Sequence, residues 1–175
     1  MARNIVMIIA PNSYRDEELT EPKTMLEKAG FDVAIASKGV KTATGKLGGS
    51  TQVDLDISEM DVTNYDSIIF VGGPGSNVYF DDPVAHSIVK KAHDQNKIIA
   101  AICIAPSILA NAGVLQGKKA TSFPTQEKNL VSKGALYTNE DVTVDGNIIT
   151  ANGPDAAAKF GETIIKILNN GAKSG

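Results

Sequence analysis

Short apolar runs of strand length alternate along the chain with longer mixed stretches of helix length. "NIVMIIA" (4–10), "SIIFVGG" (67–73) and "KIIAAIC" (97–103) carry almost no polar residue, the pattern of strands buried on both faces. "FDVAIAS" (31–37) alternates like a half-buried strand. Helices are predicted over 17–29, 83–95, 105–112, 125–133 and 155–169. Asp16, Asp82 with Pro83, and Asp155 stand where N-caps belong. Pro106 falls in a first turn, and Gly30 and Gly113 lie just past helix ends. "KKATSF" (118–123) predicts a short strand. "VTVDGNIIT" (142–150) predicts a hairpin pivoting on Asp145-Gly146, and the Gly- and Thr-rich residues 38–56 a hairpin or long excursion.

Buried strands separated by helices imply a mostly parallel sheet covered on both faces, a doubly wound α/β sandwich. Sites in such sheets form outside the carboxyl ends of the strands. The loops after residues 10, 71, 102, 122 and 151 are therefore expected on one rim.

Composition narrows the function. The chain has 175 residues and a net charge of -3, which suits one domain over 1–175 with one sizeable core. Charge is mixed, with no basic stripe, so no nucleic-acid partner is expected. The apolar runs are too short to span a bilayer, and the first residues lack the layout of a signal peptide. A single cysteine cannot form an intrachain disulfide, which fits a cytoplasmic setting. There is no internal repeat or low-complexity tract, and only the terminal "NNGAKSG" reads as frayed.

That one cysteine, Cys103, lies at a joint where a strand meets a Pro-started, Ala-rich helix: "AAICIAPSILANAG". A sharp strand-to-helix turn has the layout of a nucleophile elbow. Unpaired N–H groups of the following helix would favour a thiolate there. A small buried hydrophobe is the competing reading of a lone cysteine. Beside it, "VGGPGSN" (71–77) ends a neighbouring strand in glycines. Gly73 could offer a backbone N–H to an oxyanion, with Ile104 supplying the second. The stretch lacks the third glycine of a dinucleotide fingerprint, so no nucleotide cofactor is expected. In "YRDEELTEP", Glu18 shares a helix face with Pro22, Met25 and Ala29, whereas Glu17 shares one with Glu21, Thr24 and Lys28. Glu18 is then the inward carboxyl, partly desolvated, with a raised pKa.

Glu18, "VGGPGS", "AAICIAPSILANAGVLQGKKATSFP" and "VDGNIITANGP" together resemble the ThiJ/PfpI superfamily, which includes the DJ-one-like proteins. The resemblance covers nearly the whole chain. It implies a flavodoxin-like three-layer sandwich with a mostly parallel central sheet, assembled as a homodimer or higher homo-oligomer. It puts Cys103 on a strained nucleophile elbow with Glu18 beside it, and gives the oxyanion place to the backbones of Gly73 and Ile104. Tyr79 and Phe80, read as loop residues, add apolar surface to the case for an oligomer.

The chain departs from its relatives where polar partners are expected. Ile104 stands in place of the peptidase-like histidine after the cysteine, and Asn77 in place of a glutamate after the glycine turn. Phe123 stands in place of a histidine before a proline, and Asn152 in place of an arginine before the last Gly-Pro. The histidines present, His86 and His93, share one predicted helix. His93 points away from the rim, and His86 reads as a solvated surface residue. The pair shows no third metal ligand, so no metal is expected.

Three activities follow. The first is addition of Cys103 to a small carbonyl compound, in the manner of glutathione-independent glyoxalases or deglycases. Glu18 moves the proton and no histidine is needed. The second is a non-enzymatic redox or stress-response role, in which an oxidant converts Cys103 to a sulfinate that accepts a hydrogen bond from Glu18. The third is peptidolysis, disfavoured by Ile104 and Asn77.

Overall fold

The computed structural model describes residues 3–174. The first half of the chain forms β1 (Asn4–Ile8), β2 (Asn12–Tyr14), α1 (Asp16–Lys28), β3 (Asp32–Ser37), β4 (Thr42–Gly45), β5 (Ser50–Gln52), β6 (Leu55–Asp56), β7 (Ser67–Phe70) and α2 (Pro83–Asp94). The second half forms β8 (Ile98–Ile102), α3 (Pro106–Asn111), β9 (Lys119–Ala120), α4 (Glu127–Ser132), β10 (Leu136–Tyr137), β11 (Val142–Asp145), β12 (Ile148–Ala151) and α5 (Ala157–Ser174).

Seven strands make the central sheet, in the order β11-β12-β8-β7-β1-β3-β6. Neighbours are parallel except the β11–β12 hairpin at one edge. Side chains alternate across a strand, so each strand serves two layers. Val6, Ile8, Ile68, Phe70 and Ile99 pack with Ile88 and Val89 of α2 and with Ile108 and Leu109 of α3. Ile5, Met7, Ile9, Ile69 and Ile102 pack on the other face with Leu19 and Leu26 of α1 and with Phe160 and Ile164 of α5. Each fully buried Ile, Leu or Phe contributes about 1.5–3 kcal/mol. This is the doubly wound α/β sandwich that the alternation of elements predicts, in the flavodoxin-like three-layer form that the resemblance implies.

Several local expectations are corrected. Asp16 does not cap α1. Arg15 holds that position without a side-chain bond. The Asp16 carboxylate instead accepts from the backbone N–H groups of Leu47 and Gly49, both at 3.2 Å, tying α1 to the β4–β5 hairpin. That hairpin realises the excursion expected over 38–56, and β6 then returns to the main sheet. The strand expected over 118–123 shrinks to β9, which pairs only with β10. Beyond it the chain is held by side chains. Thr121 N–H donates to Thr150 Oγ1 (3.0 Å) and its hydroxyl to the Glu140 carbonyl (2.7 Å). Asp155 lies inside a 3-10 turn, Pro154–Ala156, and Gly153 takes the cap position without a side-chain bond. The segment expected to fray from residue 169 continues α5 to Ser174, with Gly175 outside the described residues. Asp82 does cap α2, accepting from Val84 N–H at 2.9 Å.

Tyr79 is not a surface residue. It is buried, and its hydroxyl donates to the Ile9 carbonyl at 2.7 Å. Phe80 packs against the same core half-buried. Neither supplies the exposed apolar surface that would argue for a partner chain.

Candidate active site

The parallel sheet brings the carboxyl ends of β1, β7, β8 and β12 to one rim, where five distant segments meet. Cys103 follows β8 directly and has φ 66°. That left-handed conformation costs a residue with a side chain about 1–2 kcal/mol. Two hydrogen bonds hold it there. The Cys103 N–H donates to the Ala151 carbonyl (2.9 Å), and the Cys103 carbonyl accepts from Phe123 N–H (2.7 Å). The chain then turns at once into α3, the predicted joint.

The glycine turn is fitted against this joint. A side chain on Gly72 would strike the Glu18 carboxyl, Cys103 Cβ and the Ile102 carbonyl. Gly73 has φ 105°, and a side chain there would strike the backbone of residues 13–15. That segment passes so close because Arg15 N–H donates to the Gly72 carbonyl at 2.9 Å. The backbone N–H groups of Gly73 and Ile104 both act on the Cys103 sulfur.

Glu18, in the first turn of α1, is fully buried. Its helix face runs Glu18, Pro22 and Leu26, and Ala29's expected place on it is lost because that residue is exposed. Neither carboxyl oxygen has a well-formed hydrogen bond. The Cys103 thiol, the Gly72 backbone and the charges of Arg15 and Glu17 all act on it. Burial pushes the Glu18 carboxyl up to about 8, against the pull of Cys103 and the Arg15 charge, so the group keeps its proton at neutral pH.

The thiol departs from expectation. Burial pushes it up to about 12, and repulsion from Glu18 adds to the rise once that group is ionised. The Gly73 and Ile104 N–H groups pull the other way without prevailing. A helix N-terminus was expected to favour the thiolate, but Cys103 is only 9 % exposed and has lost most of the water that would solvate an anion. At neutral pH the pair therefore rests with both protons in place.

Of the other predicted residues, Phe123 and Asn152 line one cavity of about 240 Å³, together with Asp141 and Asp155. Asn152 Nδ2 donates to Asp141 Oδ1 at 3.3 Å. Asn77 is exposed, and no hydrogen bond joins it to Cys103 or Glu18. Ile104 is half-buried against the α1–α5 layer. His86 is not simply solvated, because its Nε2 lies 2.7 Å from the Phe80 carbonyl. His93 lies at the far end of α2, 4.0 Å from Asp94. Among the described residues no three His, Cys, Asp or Glu side chains group as metal ligands, and no helix is long and apolar enough to cross a membrane.

Sequence reasoning missed Arg15, Asp141 and Asp155. Arg15 stands at the rim with its Nε 2.6 Å from Glu17, an arrangement hinted at by the adjacency in "YRDEE". Asp141 and Asp155 reach the cavity through folding alone and carry no local signal.

A buried carboxyl against a cysteine on a strained strand-to-helix joint, at the rim of this sandwich, defines a class that sequence comparison also identifies. The chain belongs to the DJ-1/PfpI family, whose model matches residues 3–167. It is 40% identical over 167 residues to the uncharacterized protein MJ0967 of Methanocaldococcus jannaschii, covering 94% of this chain and 82% of that one. It is 32% identical over 163 residues to deglycase PH1704 of Pyrococcus horikoshii, covering 93% and 98%. A ThiJ/PfpI domain protein from Brachyspira murdochii superposes with a TM-score of 0.94 at 36% identity, over 97% of this chain and 98% of that one.

Proposed function

We propose that the protein is a cysteine-dependent enzyme acting on small reactive carbonyl compounds, of the glyoxalase or deglycase type. The observation that carries this reading is the fully buried, proton-holding Glu18 against Cys103. A neutral carboxyl can act at both ends. One oxygen takes the thiol proton as sulfur adds to the carbonyl carbon, while the other gives its proton to the carbonyl oxygen. The product is a hemithioacetal, and the carboxyl ends the step as neutral as it began. No free thiolate is needed, which suits a thiol whose burial resists ionisation. The Gly73 and Ile104 N–H groups would steady the negative charge that builds on oxygen. The similarity to a protein named deglycase supports the same reading. A cytoplasmic setting and a homodimer complete the proposal.

Methylglyoxal turnover by wild type and by Cys103→Ser, with a peptide substrate run in parallel, tests it. Loss of methylglyoxal that depends on Cys103 is the expected result, and equal rates in the two proteins would overturn it. A second reading is favoured by the same contact. If peroxide oxidises Cys103 to a sulfinate, the Glu18 proton is placed to bond one sulfinate oxygen. Absence of turnover, with clean oxidation of Cys103 by dilute peroxide, would select that role.

A further inference from the structure

The cavity lined by Phe123 and Asn152, whose segments hydrogen-bond to the Cys103 backbone, has its own chemistry. Two of its walls are anchored to the cysteine itself. Phe123 N–H bonds the Cys103 carbonyl, and the residue before Asn152, Ala151, accepts the Cys103 N–H. The cavity holds about 240 Å³, room for a group the size of a trimethylammonium or a guanidinium. Phe123 is 40% exposed, unusual for a large apolar residue, and offers an aromatic face. Among the described residues, Asp141 and Asp155 are the charged ones that line it. Asn152 spends one amide N–H on Asp141, which leaves it one N–H and its carbonyl oxygen. The lining side chains thus present two negative charges, one amide and an aromatic face, with no cation among them.

We infer that this cavity is a recognition subsite for a cationic group, an ammonium or guanidinium, carried by molecules that react at Cys103. The inference rests on Cys103 being the reacting group and on no particular carbonyl substrate. Asp141 and Asp155 are both exposed, so an anionic substituent would meet two carboxylates there and a neutral one would draw nothing from their charge. A cation can face Phe123 and lie near both acids. The subsite would therefore select among carbonyl compounds by the charge they carry.

The test uses three methanethiosulfonates that differ in charge: methyl, 2-(trimethylammonio)ethyl and 2-sulfonatoethyl. Each transfers its alkylthio group to the Cys103 sulfur and releases methanesulfinate. With one cysteine in the chain, every rate reports this site. Rates are divided by those of a small model thiol to remove intrinsic reactivity. The cationic reagent is expected to exceed the methyl reagent by about three- to tenfold at low salt, and the anionic one to fall below it. Asp141→Asn with Asp155→Asn should bring the ratio near one, and Phe123→Leu should lower it. The control pair Asp32→Asn with Asp94→Asn, exposed at the opposite rim, changes net charge equally and should leave the ratio alone. An unchanged ratio in the first pair, or an equal fall in the control pair, overturns the subsite. A wild-type rate with the methyl reagent certifies that each variant is folded. Because no turnover is measured, failure of the subsite and failure of the carbonyl reading remain distinguishable.

Discussion

Replacing Glu18 by Gln keeps the size of the side chain and removes its proton. In the folded protein burial raises that carboxyl from 4.5 to about 8. The unfolded chain releases the proton near 4.5 while the folded chain holds it. Wild type therefore loses stability as pH rises between those values, since folding must take up a proton that is becoming scarce. One pH unit is worth about 1.4 kcal/mol, so the whole window amounts to about 5 kcal/mol, with roughly 3–4 kcal/mol of it between pH 5 and pH 8. Gln cannot ionise in either state and has no such slope. Urea unfolding of wild type and Glu18→Gln at a series of pH values gives the difference directly. Groups whose pKa values are lowered, such as Glu17 and Asp56, act equally in both proteins and cancel. The series stops at pH 8, because above it the thiol of Cys103, raised from 9, adds a loss of the same sign. The variant is expected to gain about 3–4 kcal/mol on wild type between the two ends. Parallel curves would show that Glu18 ionises freely in the fold, and the proton relay would lose its basis.

Gly72→Ala should destabilise by about 1–3 kcal/mol and block thiol reactivity, because its methyl would lie 2.6 Å from both Cys103 Cβ and the Ile102 carbonyl; a thermal melt with a thiol titration reads both effects. Above pH 8 an ionised Glu18 opposes a second charge on sulfur, so Glu18→Gln should alkylate faster than wild type near pH 9.5 with a neutral reagent, and a slower rate would contradict the assigned repulsion. Peptides should not be cleaved at ordinary enzyme rates, since Ile104 stands where an imidazole would serve the leaving amine and His86 is held at the Phe80 carbonyl; cysteine-dependent cleavage in a protease-free preparation would refute this.

The layers were legible because β1, β7 and β8 are unbroken apolar runs, which only a sheet covered on both faces accommodates. Cys103 and Glu18 were legible as positions, one by its place at a strand-to-helix joint and the other by helical spacing. What escaped reading was every choice made between distant segments. Asp16 has the composition of a cap, yet two backbone donors more than thirty positions away hold its carboxylate. "KKATSF" has strand composition, but Thr121 bonds Thr150 and Glu140 instead of continuing a ladder. Tyr79 looks like a loop aromatic and is a buried donor to β1's far end. The ionisation of Cys103 depends on how completely the rim segments close over it, and local sequence is silent on closure.

The two hydrogen bonds on the backbone of Cys103 have a mechanical consequence. One runs to the segment bearing Phe123 and the other to the segment bearing Asn152, so the backbone of the cysteine and both cavity walls are coupled through single hydrogen bonds. A ligand that shifts the backbone of Phe123 pulls on the cysteine's carbonyl, and one that spreads the walls tilts its peptide plane. Binding and bond formation thus share a single lever, and tight contact in the cavity is felt at the reacting atom as a change of aim.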